Sequence, residues 1–228
     1  MIELKDLEAY FPEAEEHYRY LHRHPELGFE EKNTSDYIME RLAEYGISGK
    51  RVARTGVTAD IVGASPGKTM AVRADMDALP ISELSQVPYV SENPGVMHAC
   101  GHDAHVAMLL GSAHYLKDHP ETFNGTVRLI FQPAEEGAAP ETFAAVAAEG
   151  GSARGGAASM IAWGALKGVD ACTALHVNAS MPTGTLGVPE ERFSASSDIF
   201  ELTIQGKGGH GSAPEDAVDP TGALAAVI

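Results

Sequence analysis

The stretch that decides the fold is His102-Asp103-Ala104-His105-Val106-Ala107-Met108-Leu109-Leu110-Gly111-Ser112-Ala113-His114-Tyr115-Leu116, which leads through a short connection to Thr126-Val127-Arg128-Leu129-Ile130-Phe131. The first segment predicts a helix, because its apolar residues recur every three or four positions and so share one face. Those inward positions are Val106, Leu109, Leu110, Ala113 and Leu116. The second segment is a short, mostly apolar run typical of a buried strand. Such an alternation indicates an α/β domain.

The same alternation extends over most of the chain. Helical spacing predicts helices over Leu4–Tyr18, Asn33–Tyr45 and Ala158–Leu166. Strands are predicted at Asp60–Gly63, Thr69–Ala74 and Ala171–Val177. We expect the first two strands to pair across the Pro66-Gly67 turn and the third to be buried. Residues 138–156, rich in Ala and Gly, predict a long loop with a short helix at Phe143–Ala148.

The character of the sequence changes near Pro182–Pro189. Beyond this point Asp198–Gln205 alternates between apolar and polar residues, which is typical of an open strand with one buried face. We therefore predict one domain over residues 1–183 and the beginning of a second over residues 184–228.

Composition narrows the class of function. The chain has 228 residues and a formal net charge of −16, a balance that disfavours nucleic acids and anionic membranes as partners. The N-terminal residues lack the basic and apolar regions of a signal peptide, and no apolar run has membrane-spanning length. Only Cys100 and Cys172 are cysteines, so a disulfide framework is not expected. These features predict a cytoplasmic protein.

A dense cluster of potential metal ligands lies at His98-Ala99-Cys100-Gly101-His102-Asp103-Ala104-His105. Cys100 and His102 flank a glycine, so both side chains can approach one metal ion or a close pair. Taken singly, Cys100 is equally consistent with a small buried side chain and His102 with a helix cap. His98 and His105 are assigned supporting roles, since His105 suits a structural role or a substrate contact as well as it suits a ligand.

Other polar side chains follow predicted strands, where ligand sites of open α/β sheets gather. Asp75 and Asp77 follow one strand, the pair Glu135-Glu136 follows another, and His176 lies near the end of a third. Of two adjacent carboxylates, one can bind a metal while the other moves a proton. Asp75 and Asp77 are candidates for orienting the ligating histidines. Together these residues predict metal-assisted hydrolysis.

Five sequence motifs resemble those of a known family, and the resemblance covers nearly the whole chain. In order they are Leu21-His22-Arg23-His24-Pro25-Glu26-Leu27, Arg73-Ala74-Asp75-Met76-Asp77-Ala78-Leu79-Pro80, His98-Ala99-Cys100-Gly101-His102-Asp103, Gln132-Pro133-Ala134-Glu135-Glu136-Gly137 and Gly206-Lys207-Gly208-Gly209-His210-Gly211-Ser212-Ala213-Pro214. With them the chain resembles the metal-dependent amidohydrolases that include hippurate hydrolases, N-acyl-L-amino acid amidohydrolases and indoleacetyl-amino-acid hydrolases, within the aminoacylase and carboxypeptidase superfamily.

The resemblance implies a mixed-sheet, zinc-peptidase-like catalytic domain flanked by helices, followed by the start of a smaller α+β dimerisation (lid) domain. It implies two divalent metal ions per subunit, with Zn, Mn, Co and Ni all open. The implied ligands are Cys100, His102, Glu136 and His176, and the implied catalytic residues are Glu135 as general base, Asp77, and His210, which would polarise the scissile carbonyl. By the same resemblance residues 138–156 are an insertion, and the protein is a homodimer.

The expected substrate is a small N-acyl amino acid, such as hippurate or an N-acetyl amino acid. Dipeptides and N-acetyl-diaminopimelate are alternative substrates of the same chemistry. The chain ends at Ala223–Ile228, inside what resembles the first helix of the smaller domain, and a final histidine ligand of the family is expected beyond it. A non-catalytic, metal-binding remnant is therefore a further alternative. A zinc nucleobase deaminase is excluded, because no Pro-Cys-x-x-Cys follows the histidine motif.

Overall fold

The computed structural model describes residues 4–190, 200 and 202–227. The chain divides into two compact units, Met1–Ala179 and Ser180–Ile228. Among the described residues no helix is both long enough and apolar enough to cross a membrane.

The first unit contains six α-helices and five strands among its described residues. Its helices are α1 (Leu4–Leu7), α2 (Phe11–Arg23), α3 (Lys32–Glu44), α4 (His102–Asp118), α5 (Pro140–Ala148) and α6 (Gly156–Ala162). Its strands are β1 (Gly49–Val52), β2 (Gly56–Val62), β3 (Thr69–Asp75), β4 (Thr126–Gln132) and β5 (Ala171–Ala174). Short 3₁₀ turns lie at Glu8–Tyr10 and Pro120–Thr122. The predicted α/β class is confirmed.

The five strands form one mixed sheet in the order β1-β2-β4-β3-β5. β4 runs antiparallel to β2 and parallel to β3, and β3 runs parallel to β5. The predicted pairing of Asp60–Gly63 with Thr69–Ala74 across Pro66-Gly67, which would join β2 to β3, is wrong, because β4 lies between these strands. The chain crosses over through α4 before it forms β4, which places β4 between β2 and β3. Pairing between such distant segments cannot be predicted from the local sequence pattern.

Both faces of the sheet are covered. On β4, Leu129 and Phe131 point into the core shared with α2, α3 and α4, where Leu110 is also fully buried. The intervening Ile130 packs on the opposite face with Met160 of α6. This alternation follows from the two-residue period of a strand. It places the sheet between two layers and holds its strand ends in fixed positions.

Two predictions about the later part of this unit need correction. The short helix predicted at Phe143–Ala148 within residues 138–156 is present but begins earlier, because α5 occupies Pro140–Ala148 and buries Val146 against Phe29. The strand predicted at Ala171–Val177 is shorter, and all four residues of β5 are exposed. β5 is an edge strand that pairs with β3.

The second unit contains a 3₁₀ turn at Pro214–Asp216, the helix α7 (Thr221–Val227) and an isolated bridge between Lys207 and Val218. Three of the eight positions of the strand predicted at Asp198–Gln205, namely 198, 199 and 201, lie outside the described residues. Its described positions, 200 and 202–205, carry no strand.

Candidate metal centre

Polar side chains gather where the parallel strands end. β3 ends at Asp75, β4 is followed by Glu135 and Glu136, and β5 is followed by His176. Because β3, β4 and β5 run in the same direction, their carboxyl ends meet at one edge of the sheet. α4 begins at His102, at the same edge. The predicted convergence of these side chains is therefore present in the structure.

His102 is the centre of the cluster and is fully buried. Its Nδ1 lies 2.9 Å from the Asp77 carbonyl oxygen and 3.2 Å from Asp77 Oδ1, so this nitrogen donates its proton and Nε2 presents a lone pair. Nε2 has no hydrogen-bond partner among the described residues. It lies 3.6 Å from Asp75 Oδ2, 3.8 Å from Glu136 Oε1 and 3.9 Å from Glu135 Oε2.

A buried lone pair facing three carboxylates requires a positive charge between them. Burial lowers the pKa of His102, but the hydrogen bond with Asp77 and the charges of the carboxylates outweigh it and raise the pKa overall. A proton on Nε2 meets this need, and so does a divalent cation held by the imidazole and the carboxylates. The residues present thus fit a metal ion.

Cys100 and His176 contribute a thiol and a second imidazole to the cluster. Cys100 Sγ lies 3.5 Å from His176 Nε2, while His176 Nδ1 donates to the Val177 carbonyl oxygen at 2.7 Å. Ligand atoms of Cys100, His102 and His176 all lie within 4.8 Å of one another. Burial, together with the nearby carboxylate of Glu136, raises the pKa of the Cys100 thiol to about 12. A bound cation reverses this effect, since a coordinating thiol is deprotonated.

The side chains of the two glutamates are partly exposed to solvent. Glu135, Glu136 and His102 form a second group whose ligand atoms lie within 4.8 Å. The backbone N–H of Glu136 donates to Asp77 Oδ2 at 2.9 Å, so one buried carboxylate orients both Glu136 and His102. Burial, and then the charges of Asp75 and Glu136, raise the pKa of Glu135. A raised pKa suits a carboxylate that accepts and returns a proton near neutral pH.

The other two histidines of the sequence cluster differ from each other. His105 uses both ring nitrogens: Nδ1 lies 2.5 Å from Asp75 Oδ1, and Nε2 accepts from Val177 N–H at 2.9 Å. The contacts of His105 are therefore with neighbouring protein groups. His98 is buried, and neither ring nitrogen has a partner within the described part of the chain. Burial lowers its pKa to about 4, so this ring is neutral at pH 7.

Sequence reasoning missed several buried polar contacts around the cluster. Arg73 Nη1 lies 2.6 Å from Asp75 Oδ2, and His22 Nδ1 lies 2.6 Å from Asp103 Oδ2. Glu31 accepts from the backbone N–H of Ala134. The His22–Asp103 and Glu31–Ala134 partners are far apart in sequence, so local patterns give no signal for these pairs.

His210 belongs to the second unit. It is exposed, and its Nδ1 lies 2.8 Å from Ser212 Oγ. These contacts are local, and the predicted action of His210 on the scissile carbonyl stays a prediction.

Comparisons with known proteins agree with this chemistry. The family described as peptidase family M20/M25/M40 matches residues 71–221. Thermostable carboxypeptidase 2 of Saccharolobus solfataricus is 44% identical over 204 residues, which are 89% of this chain and 48% of that protein. N-acetyl-L-cysteine deacetylase of Bacillus subtilis is 43% identical over 203 residues, again 89% of this chain but 45% of that protein.

A solved structure supports the same relationship. The YXEP protein of Bacillus subtilis, a dinuclear metal-binding peptidase, superposes with a TM-score of 0.70 at 41% identity. The match covers 80% of this chain and 47% of that one. The chain thus spans about half the length of the curated relatives it matches.

Proposed function

The chain belongs to peptidase family M20/M25/M40, and from that membership we propose that the protein is a metal-dependent hydrolase of the amide bond in N-acyl amino acids. The observation that carries the proposal is the buried Nε2 of His102, which has no hydrogen-bond partner in the described part of the chain and lies between a thiol–imidazole group and a pair of glutamates. The name of the deacetylase relative supports an N-acyl amino acid as substrate.

We propose Cys100, His102, Glu136 and His176 as ligands of two divalent metal ions. Thiolate and imidazole suit zinc, whereas the carboxylates also admit manganese, cobalt or nickel. The dinuclear site named for the YXEP protein supports the number of ions. When bound, such ions polarise the scissile carbonyl and lower the pKa of water. Asp77 keeps His102 and Glu136 in place through its two carboxylate oxygens.

Glu135 is the proposed general base. It takes a proton from the attacking water as the carbon–oxygen bond forms, and it returns that proton to the amine nitrogen as the carbon–nitrogen bond breaks. Its carboxylate is about two-fifths exposed, so substrate and water can reach it. His210 is the proposed donor to the carbonyl oxygen, a role that only the family resemblance supports.

The test is a substrate screen with hippurate, N-acetyl amino acids, N-acetyl-diaminopimelate and dipeptides. We expect turnover to be fastest on N-acyl amino acids, to be abolished by a chelator and to return with added metal. Faster turnover of dipeptides would favour the peptidase alternative, to which the carboxypeptidase relative points. Metal binding without turnover of any substrate would favour the non-catalytic alternative.

A matched variant tests the mechanism itself. Glu135→Gln keeps the size of the side chain but removes the base, so kcat should fall by about 10²–10⁴-fold while bound metal stays at the wild-type level. Retained turnover in this variant would show that Glu135 is not the base.

The remaining proposals concern the cellular location, the class of partner and the oligomeric state of the protein. Both cysteines are free, which supports a reducing compartment such as the cytoplasm. The strong negative charge supports a small-molecule substrate over nucleic acid or an anionic membrane. The proposed homodimer rests on the family resemblance, and light scattering of the purified protein tests it.

A further inference from the structure

We propose that Glu31 is a positioning residue that holds the Ala134 backbone in the conformation from which Glu135 and Glu136 reach the metal centre. The inference rests on the proposed function, in which Glu135 is the base and Glu136 a ligand. Among the described residues, Glu31 lies outside the groups that can hold a metal ion, which are the two given above and a third that consists of Asp75, His102 and His105.

The Glu31 carboxyl group joins three segments of the chain. It is fully buried; Oε1 accepts from the backbone N–H of Ala134 at 2.8 Å, and Oε2 accepts from Thr55 Oγ1 at 2.5 Å. The Glu31 carbonyl oxygen accepts from Ser35 N–H at 3.0 Å in the first turn of α3. The start of α3, the turn between β1 and β2 and the segment after β4 therefore meet at one side chain.

Ala134 needs such an anchor. Its φ is +46°, a left-handed conformation that costs an L-residue about 1–2 kcal/mol. The two residues that follow are Glu135 and Glu136, so this angle sets the direction from which both side chains leave the strand end. If its N–H loses the acceptor, the buried group is unsatisfied and the strained conformation loses a hydrogen bond that holds it.

Close packing restrains the same segment from both sides. A Cβ atom on Gly28 would lie 2.0 Å from the Gly137 carbonyl oxygen, and one on Gly156 would lie 1.6 Å from the Pro133 carbonyl oxygen. The Ala134 carbonyl oxygen accepts from Gly156 N–H at 3.1 Å. Packing thus confines the segment, and the hydrogen bond to Glu31 selects one backbone conformation within that space.

Glu31→Ala and Glu31→Gln separate positioning from mere stabilisation. The Gln amide oxygen still accepts from Ala134 N–H, and its NH₂ group can donate to the Thr55 hydroxyl, whereas Ala offers neither. We expect Glu31→Ala to weaken Zn²⁺ binding and lower kcat by about 10–100-fold each, with little change in KM. Glu31→Gln should restore both. Hydrogen exchange of the Ala134 amide should be faster in the Ala variant and near wild type in the Gln variant.

Glu26→Gln is the control. The Glu26 carboxylate accepts four hydrogen bonds from Asn33 and Thr34 at the start of α3, and those contacts do not include the segment after β4. This variant should lose stability yet keep wild-type Zn²⁺ affinity and kcat.

The outcomes are distinct. If Glu31→Ala is folded and matches Glu26→Gln in Zn²⁺ affinity and kcat, the inference is wrong while the proposed function stands. If Glu31→Ala fails to fold, Glu31→Gln decides, since a folded Gln variant with weakened Zn²⁺ binding also contradicts the inference. A wild-type protein that neither binds Zn²⁺ nor hydrolyses any substrate in the screen refutes the proposed function and the inference together.

Discussion

Glu31→Gln should make the stability of the protein less dependent on pH. Burial is the main cause that raises the pKa of Glu31 from 4.5 to about 7, and the hydrogen bonds from Thr55 and Ala134 offset only part of it. At pH 5 the folded protein therefore keeps a proton on Glu31 that the unfolded chain has largely lost. A Gln side chain resembles this protonated acid and does not titrate.

The sign and the size of this pH dependence follow from the linkage between proton binding and folding. Because the folded pKa lies above the unfolded one, the contribution of Glu31 to the free energy of unfolding is complete below pH 4.5 and is lost as the pH rises to about 7. Each pH unit in this window is worth about 1.4 kcal/mol, so the wild type should lose about 3 kcal/mol relative to Glu31→Gln. Above pH 7 the difference should be constant.

Urea unfolding of the metal-free wild type and variant at several pH values between 4.5 and 8 measures this difference. Groups that titrate equally in both proteins cancel in the comparison, since contributions of separate sites add. A difference that stays within about 0.5 kcal/mol across the range would show that the pKa of Glu31 is close to its ordinary value. The burial argument would then be wrong.

Three further substitutions test other parts of the structure. Asp77→Asn should weaken Zn²⁺ binding by about 10–100-fold in a chelator competition, because Asp77 orients His102; unchanged affinity would contradict this role. Gly101→Ala should cost at least about 1–2 kcal/mol in urea unfolding, since its φ is +82° and the new Cβ would lie 2.3 Å from Val177 Cγ2. Leu110→Ala should cost about 2–5 kcal/mol in the same assay, because Leu110 is fully buried in the main core; a loss below 1 kcal/mol would contradict that packing.

Periodicity predicted most of the individual elements, although it missed β1 and placed the start of β2 four residues too late. α4 begins at His102 as predicted, and β4 begins at Thr126. These elements are read from side chains that are close in sequence, so the pattern contains the necessary information. The order of the strands in the sheet cannot be obtained from such local patterns. The insertion of β4 between β2 and β3 depends on contacts between distant segments, and the predicted hairpin was wrong for that reason.

The sequence by itself determined the α/β class, the strand ends at which polar residues gather, and the pairing of Cys100 with His102 across a glycine. These features depend on neighbours within a few residues. Only the tertiary structure decided that His176 meets Cys100, that Asp77 orients both His102 and Glu136, and that Glu31 holds Ala134. Such contacts join residues tens of positions apart. They exist because the parallel strands end at one edge of the sheet, where a buried polar group without a partner or a cation is costly.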